Sequence, residues 1–252
     1  MSVGKCTIVQ IFIIMSKKKY IFSEQSSLWG DPELLGFGSD DFYVKEIDRK
    51  TSINYIKKNH YSGKVTSNSY VHIGVYVLGD LMGVLQLGPA MNPASGGSIV
   101  KGTKNDEWME LNRMHLMDGI GDYPESKSIA YTMKYIKRKY RKIKWIQSFA
   151  DERCGGFGIV YQACSFGFYG EHTSTFWVLD DVWYHNKAMT IKDPKKIAPS
   201  EKYLQENKHR AKPYKLRQFR YIKFLDQRAK KNLILEEKPY PKHYEEGVER
   251  KK

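Results

Sequence analysis

The sequence contains little cysteine and no apolar run long enough to cross a membrane. Its three cysteines in 252 residues are Cys6, Cys154 and Cys164. An odd number without metal-ligand spacing argues against a disulfide framework and a zinc site, and it fits a reducing compartment, so we expect a cytoplasmic protein. The apolar run from Cys6 to Ile14 is about half the length that spans a bilayer, so no membrane partner is expected.

The first residues add little to a functional interpretation. Lys17-Lys18-Lys19 follows the apolar run, and it is not the small-residue site at which signal peptides are cleaved. Met15 opens MSKKKYIFSEQ, which resembles the start of a soluble chain. We therefore expect residues 1–14 to be either an added strand or an upstream start, and residues 1–40 to form a partly disordered N-terminal segment.

Acidic residues are scarce relative to basic ones. The chain has 42 Lys and Arg against 28 Asp and Glu, which gives a formal net charge of +14. Because neutralising phosphates releases counterions, a polyanion is the expected partner, and nucleic acid is favoured over an acidic membrane. With 41% hydrophobic and 13% aromatic residues, the composition is that of a folded domain rather than a disordered chain.

Much of the positive charge falls near the C-terminus. Residues 208–231 contain ten Lys or Arg and one Asp, interleaved with four aromatic residues, Tyr214, Phe219, Tyr221 and Phe224. Cations that contact phosphates beside rings that stack on bases are typical of nucleic-acid binding. The structural alternative, compatible with it, is that Phe219, Ile222 and Leu225 dock this segment onto the domain. The residues predicted to contact nucleic acid are Lys212, Lys215, Arg217, Arg220, Lys223, Arg228, Lys230 and Lys231.

The hydrophobic pattern predicts an α+β fold. From Asp41 onwards, runs with strand and helix periodicity follow one another, and Gly79-Asp80 separates two apolar runs as a hairpin turn does. The Pro-, Gly- and Ser-rich residues 88–104 form a loop long enough to act as a lid. The predicted strands are 42–47, 70–78, 81–87, 108–116, 144–151, 176–179 and 182–184, and the predicted helices are 50–59, 124–140 and a short one after Gly158.

A carboxylate stands at the tip of one apolar strand. Trp145 to Ala150 is typical of a largely buried strand, and Asp151 follows it, ahead of a glycine-led helix. In open α/β sheets, ligands collect at the carboxyl ends of strands, which favours a functional site at Asp151. On local sequence alone, a helix cap is an equally good explanation.

The order of elements resembles the GNAT superfamily of acyltransferases. The resemblance implies a mixed, mostly antiparallel central sheet flanked by helices over residues 41–190. From its charge, residues 191–252 are expected to be a basic C-terminal extension that binds nucleic acid. In that fold a cofactor pyrophosphate binds at the N-terminus of the helix after the fourth strand, because free N–H groups and the helix dipole favour an anion. The corresponding cofactor-binding residues are Gly119, Gly121, Ser126 and Ser128. The usual Gln/Arg-x-x-Gly-x-Gly/Ala loop is absent, which argues against ordinary acyl-CoA and leaves the group donor unknown.

Four separated motifs, in the same order, are similar to the bacteriophage Mom family. They are NHYSG, ELNRM, PESKSIAY and SFADERCGGFGIVYQACSFGFYG, and the resemblance extends from Phe42 to Asn186. Members of that family are GNAT-like enzymes that modify adenine in phage DNA to N6-carbamoylmethyladenine and so protect it from restriction. The resemblance implies a DNA-adenine transferase whose partner is double-stranded DNA, working in the host-cell cytoplasm, with a homodimer left open.

The resemblance also implies a set of catalytic residues and a role for iron. The catalytic residues are His60, Tyr61, Arg113, Ser126, Asp151 and Tyr161. Carboxylate and phenolate oxygens are hard donors that suit iron, so Asp151 with Tyr61 or Tyr161 is the predicted metal site. His60 is then a nitrogen ligand or a general base, and Arg113 suits a carboxylate or phosphate.

Structural and functional alternatives accompany this interpretation. In the structural alternative, His60 is only a helix cap, Arg113 is an ion-pair partner of Glu110 or Asp151, and the two tyrosines are core residues. Two other functions fit the composition: an N-acetyltransferase that uses acyl-CoA on a small amine or protein, and a non-enzymatic DNA-binding protein. An enzyme acting on the N6 amine must reach an atom inside the base pair, so residues 88–104 are the predicted wedge for extruding the base.

Overall fold

The computed structural model describes residues 20–25, 32–60, 68–154, 156–193, 195 and 197–241. Ten strands in these residues form one sheet in the order β1-β2-β3-β4-β5-β6-β7-β10-β8-β9. The strands are β1 (Tyr20–Gln25), β2 (Pro32–Gly38), β3 (Phe42–Glu46), β4 (Val71–Val77), β5 (Asp80–Gly88), β6 (Trp108–Leu116), β7 (Trp145–Asp151), β8 (Gly167–Leu179), β9 (Val182–His185) and β10 (Lys212–Phe224).

Helices cover parts of both faces of this sheet. α1 lies against β4 and β5, and α3 lies against β2 and β3. Their bounds, and those of the shorter helices, are α1 (Arg49–Asn59), α2 (Gly96–Ile99), α3 (Pro124–Lys139), α4 (Ile159–Ala163), α5 (Lys187–Thr190), α6 (Pro199–Glu206) and α7 (Gln227–Lys230). Among the described helices, none combines the length and the apolar character that a membrane crossing requires.

The sheet is antiparallel except between β6 and β7, as far as the described strands extend. These two strands are parallel because α3 crosses between them, and their pairing is short. It begins at Trp108 opposite Trp145 and ends at Glu110 opposite Gln147. Beyond this last pair the strands separate. The predicted mixed, mostly antiparallel sheet flanked by helices is therefore confirmed.

The two faces of the central strands differ in chemistry. One, here called the apolar face, carries Ile146, Phe219 and Tyr221 and packs against α3 and α4 in the main core. The opposite face, here called the polar face, carries the residues that alternate with these, among them Gln147 and Arg220. At one end the polar face is covered by a second apolar cluster, and at the other end it bears ionisable side chains.

A glycine permits the close packing of α4 on the apolar face. Gly158 is the N-cap of α4 and has a φ of +80°, in the left-handed region that favours glycine. A Cβ on this residue would lie 2.5 Å from the ring of Tyr221 and 2.9 Å from that of Tyr161. The glycine before the predicted short helix is therefore needed for its approach to the sheet.

The basic C-terminal segment is part of the sheet. β10 lies between β7 and β8 and pairs with both, and Phe219 and Ile222 are buried in it. This differs from the predicted separate extension over 191–252, because a central strand cannot be removed from the domain that it completes. The alternative that Phe219, Ile222 and Leu225 dock the segment is confirmed.

Two further segments differ from expectation. Within the predicted N-terminal segment 1–40, β1 and β2 extend the edge of the sheet, while residues 1–19 lie outside the described residues. The predicted lid, 88–104, contains α2 and is held down at several points. Trp108 Nε1 donates to the Pro93 carbonyl at 3.2 Å, and Val100 forms a bridge with Leu233. Its role as a wedge stays a prediction.

Candidate functional site

The polar face carries its ionisable groups where β6 and β7 separate. Glu110 is paired with Gln147 at the end of the parallel ladder. Further along β7, Asp151 is opposite Gln218 of β10, and Gln218 is in turn opposite His172 of β8. Since paired residues in a ladder project to the same side, these side chains lie on one surface, on either side of Phe149.

His60 lies at the edge of this surface. It is the C-cap of α1, where its N–H donates to the Ile56 carbonyl at 2.9 Å, so the predicted capping role is confirmed. Its ring centre is 6.5 Å from that of His115. Burial, with the positive charges of Arg113, His115 and Arg153, lowers the pKa of His60 from 6.5 to about 4. The imidazole is therefore neutral near pH 7 and is able to accept a proton.

Asp151 is engaged by a neighbouring arginine. The guanidinium of Arg153 donates to Asp151 Oδ2 from Nε at 2.9 Å and from Nη2 at 2.5 Å. The backbone N–H of Arg153 donates to Oδ1 at 3.0 Å, so the carboxylate also caps the turn that follows β7. The same guanidinium lies 4.0 Å from the centre of the Phe176 ring. Asp151 thus holds the guanidinium of Arg153 in a fixed position at the site.

A buried acid and amide lie deeper on the polar face. Gln147 Nε2 donates to Glu110 Oε2 at 3.1 Å. Burial raises the pKa of Glu110, although this hydrogen bond and the charges of Arg113 and Arg220 act in the opposite direction. Arg220 extends over Phe149, with its guanidinium 5.4 Å from the ring centre. The sequence interpretation named neither Glu110 nor Gln147 as site residues.

Two of the predicted catalytic residues lie on the apolar face instead. The ring of Tyr161 is 5.5 Å from Phe166 and 5.4 Å from Tyr221 between ring centres, within the main core. Ser126 donates through Oγ to the Tyr123 carbonyl at 3.2 Å. The structure brings His60, Arg113 and Asp151 to the polar face, whereas Tyr61 lies outside the described residues.

A cavity of about 430 Å³ adjoins the start of α3. Gly119 and Gly121, two of the predicted cofactor residues, line it with Lys127, as do Asp41 and Asp122. The other two predicted residues, both serines, use their hydroxyls within the helix: Ser128 Oγ donates to the Pro124 carbonyl at 2.7 Å, and Ser126 bonds Tyr123. The mixed charge of the lining does not single out a phosphate, so cofactor binding here stays a prediction.

The predicted iron ligands do not come together among the described residues. No group of three or more His, Cys, Asp or Glu that could hold a metal ion occurs in this part of the chain. Both oxygens of Asp151 accept hydrogen bonds from Arg153, and Tyr161 lies on the opposite face of the sheet. Because the described residues do not fit an iron site, the role of iron stays a prediction.

The eight predicted nucleic-acid contacts do not form one patch. Some are held by neighbours: Arg217 bonds Glu152 through Nη2 at 3.0 Å, and Lys223 Nζ donates to the Cys164 carbonyl at 2.8 Å. Two more are ion-paired at the surface, Arg228 with Asp226 and Lys230 with Glu237. Arg220 is on the polar face, and Lys212, Lys215 and Lys231 are exposed.

The aromatic residues among these cations have a different role from the predicted one. Phe219, Tyr221 and Phe224 are buried, and Tyr214 packs against Trp183, with 5.3 Å between ring centres. Three of the four rings therefore stabilise the core and are not available to stack on bases. The sequence interpretation also did not name His115 and Arg153 as site residues, in addition to Glu110 and Gln147. Alternation along β7 would have placed Gln147 on the face of Asp151.

Comparison with known proteins gives a family match and distant structural likenesses. The model of the Mom protein family matches residues 41–242. The chain is 43% identical over 229 residues to the methylcarbamoylase mom of Escherichia phage Mu, covering 90% of this chain and 94% of the relative.

Among solved structures, the ribosomal-protein-S5-alanine acetyltransferase from Vibrio fischeri superposes with a TM-score of 0.45 at 11% identity, covering 76% of this chain and 97% of that one. The ribosomal L7/L12 α-N-protein acetyltransferase RimL gives a TM-score of 0.42 at 12% identity, covering 75% and 96%.

Proposed function

The chain belongs to the Mom protein family, and from this premise we propose that it transfers a carbamoylmethyl group, –CH2–CO–NH2, to the N6 amine of adenine in DNA. The observation that carries the proposal is the 43% identity to a methylcarbamoylase over nearly the whole of both chains. The polar face, with its neutral histidine among arginines, supplies a chemically suitable site.

The chemistry requires a base, because the N6 amine is conjugated with the adenine ring and is a weak nucleophile. As N6 bonds to the methylene carbon of the donor, the bond from that carbon to its leaving group breaks and the leaving group keeps the electron pair. The proton lost by N6 passes to His60, whose neutral state is maintained by burial and by Arg113, His115 and Arg153. The guanidinium groups of Arg113 and Arg153 stabilise negative charge on the leaving group.

DNA as the substrate explains the charge of the site. N6 of adenine lies within the base pair, so the base must leave the helix to reach side chains of the polar face. Arg113, Arg153 and Arg220 converge on the polar face, and guanidinium groups bind phosphate oxygens well. A substituent on N6 alters the major-groove edge of adenine, which is the edge that sequence-reading nucleases use. Protection of DNA from restriction is therefore the proposed outcome.

Nucleoside mass spectrometry tests the proposal. DNA from cells that express the chain should yield an adenosine in which one N6 hydrogen is replaced by –CH2–CO–NH2. The His60→Gln variant should lose this product, whereas His209→Gln, which changes an exposed histidine, should retain it. The proposal fails if a well-expressed chain leaves every adenosine unmodified, or if His60→Gln forms the product as well as the unaltered chain does.

A further inference from the structure

Two polar atoms on the polar face are buried without a hydrogen-bond partner among the described residues: Gln147 Oε1, an acceptor, and Arg220 Nε, a donor. Gln147 is only 3% exposed. A buried polar atom without a partner costs about 1–3 kcal/mol, so such atoms usually have a reason to remain unpaired. Here one of the two atoms is an acceptor and the other a donor, and they belong to the neighbouring strands β7 and β10.

The register of the sheet makes the two residues neighbours on the polar face. Gln147 of β7 is opposite Ile222 of β10, and Arg220 is opposite Phe149. Arg220 is therefore the diagonal neighbour of Gln147, at about 7–8 Å between backbones, a separation that long side chains bridge. The Arg220 side chain extends over Phe149 and is close enough to Glu110 for their charges to interact. Both side chains therefore converge on the point where β6 and β7 separate.

The orientation of the Gln147 amide is set by its neighbour. Its Nε2 donates to Glu110 Oε2 at 3.1 Å, which directs Oε1 away from the carboxyl group and into the site. In the reversed orientation, Oε1 would face a carboxylate oxygen, and two acceptors repel each other. The carbonyl side of Gln147 is thus presented to whatever binds beside it.

We infer that Gln147 and Arg220 form a recognition site for a primary amide, the –CO–NH2 end of the transferred group. The amide N–H donates to Gln147 Oε1, and the amide carbonyl accepts from Arg220 Nε–H. This inference rests on the proposed carbamoylmethyl transfer and specifies the residues that select that group. A primary amide satisfies both of these atoms at once, because its donor NH2 and its acceptor carbonyl oxygen are on the same carbon.

The pairing of Gln147 with Arg220 also discriminates against groups that have the shape of carbamoylmethyl but lack its amide. An acetonyl group, –CH2–CO–CH3, has the carbonyl for Arg220 but a methyl where Gln147 Oε1 needs a donor. A carboxymethyl group would pair with Arg220 and would place its second oxygen against Gln147 Oε1, beside the Glu110 carboxyl group. Sites that hydrogen-bond a polar group discriminate strongly against analogues that lack it, because their own buried atoms are then left unpaired.

NMR titration of the full chain with acetamide, acetone and acetate tests the site, since these probes share one shape. We expect acetamide to shift the signals of the Gln147 side-chain NH2 and the Arg220 Nε–H, and to bind about tenfold or more tightly than acetone or acetate. Equal binding of acetone would overturn the inference, as would tighter binding of acetate, which would indicate a site for anions.

Variants show whether both residues are responsible. Gln147→Met and Arg220→Lys should each weaken acetamide binding about tenfold. Gln86→Met is a matched control, because Gln86 is equally buried, donates through Nε2 to Ser52 at 2.8 Å and also has an unpaired Oε1. The Gln86→Met variant should lose about as much stability as Gln147→Met and should still bind acetamide. Should Gln147→Met fail to fold, the Arg220→Lys change, at a residue that is only partly buried, still decides.

The two proposals fail in distinguishable ways. If the unaltered chain forms carbamoylmethyladenine but acetamide binds no better than acetone, the recognition site is wrong and the reaction stands. If acetamide binding requires both residues while no adenosine is modified, the recognition site stands and the proposed function is wrong.

Discussion

Asp151 holds Arg153 through its guanidinium and its backbone at once, with N···O distances from 2.5 to 3.0 Å. The Arg153 side chain is 21% exposed and that of Asp151 is 12% exposed, so solvent screens the pair only weakly. Arg153 in turn acts electrostatically on His60. The carboxylate at the tip of β7 therefore fixes the position of the Arg153 guanidinium, which brings its positive charge to the polar face.

This relationship predicts that Asp151 and Arg153 act as a unit. Asp151→Asn and Arg153→Met should each reduce the yield of modified adenosine about tenfold or more, and the double variant should lose little beyond either single change. Quantitative nucleoside mass spectrometry measures all three. Arg210→Met, which breaks an exposed pair with Asp180, should leave the yield unchanged. A full loss in Asp151→Asn with normal yield in Arg153→Met would instead show that Asp151 acts directly.

Acid should destabilise the fold through His60. Its folded pKa, about 4, lies below the ordinary value of 6.5, so the unfolded chain takes up the proton first as pH falls. The stability gained by burying the neutral ring is complete above pH 6.5 and is lost between about pH 6.5 and pH 4. Between about pH 7.5 and pH 5 this loss amounts to about 2 kcal/mol.

Urea unfolding at these two pH values measures the effect. Other buried histidines also contribute, so the comparison is between variants: the free energy of unfolding of His60→Gln should fall by about 2 kcal/mol less than that of the unaltered chain. His209→Gln provides the control and should follow the unaltered chain. Equal acid sensitivity of His60→Gln and the unaltered chain would contradict the assignment.

Among the acidic residues outside the site, Glu46 should contribute most to the free energy of unfolding. Its carboxylate accepts from Tyr135 at 2.5 Å, Lys139 at 2.7 Å and Tyr140 at 2.7 Å, and so joins β3 to α3. Burial alone would raise the pKa of Glu46, but the hydrogen bonds from Lys139, Tyr135 and Tyr140 outweigh it and lower the pKa. The carboxylate is therefore charged when it binds these three groups.

Removing this shared acceptor should cost more than removing a surface acid. Glu46→Ala should lower the free energy of unfolding by about 2 kcal/mol or more, because three partly buried donors lose a partner. Asp106→Ala is the control: its pair with Lys142 is exposed and 3.5 Å long, so about 0.5 kcal/mol or less is expected. Comparable losses of unfolding free energy in the two variants would show that the three hydrogen bonds to Glu46 do not stabilise the fold more than a surface ion pair does.

The sequence predicted the Mom family, the transferase class and the mixed sheet correctly. Strand bounds were clearest where apolar periodicity is strong, as in Trp108–Leu116, which the structure reproduces residue for residue. β10 was harder to recognise because cations interrupt its alternation. Arg217 is accommodated in the strand by Glu152, 65 residues away in the sequence, and such a distant partner cannot be identified from local pattern.

The site was predicted only in part, for a similar reason. Motif resemblance named His60, Arg113 and Asp151, which the structure gathers on the polar face. It also named Tyr161, which packs in the core of the apolar face. Position in a motif does not state on which face a side chain lies. Gln147 and Arg220 can be recognised as a pair only from the register of β7 and β10, which makes them neighbours.

Nucleic-acid affinity should depend on the cations of β10 that have no ion-pair partner among the described residues, rather than on all eight predicted residues. Lys212 and Lys215 are exposed, whereas Arg228 is exposed but ion-paired to Asp226 at 2.9 Å. A lysine that neutralises a phosphate adds about one to the slope of log affinity against log salt. The Lys212→Ala/Lys215→Ala variant should therefore bind duplex DNA more weakly at low salt, with a slope smaller by about two.

Fluorescence anisotropy with a labelled duplex over a series of salt concentrations measures both quantities. Arg228→Ala is the matched control, because its cation already has a carboxylate partner, and its slope should equal that of the unaltered chain. If Arg228→Ala changes the slope as much as the double lysine variant does, Asp226 does not retain the guanidinium in the presence of DNA. DNA would then contact the surface of α7 rather than the beginning of β10, and the ion pairs of the free chain would not predict its phosphate contacts.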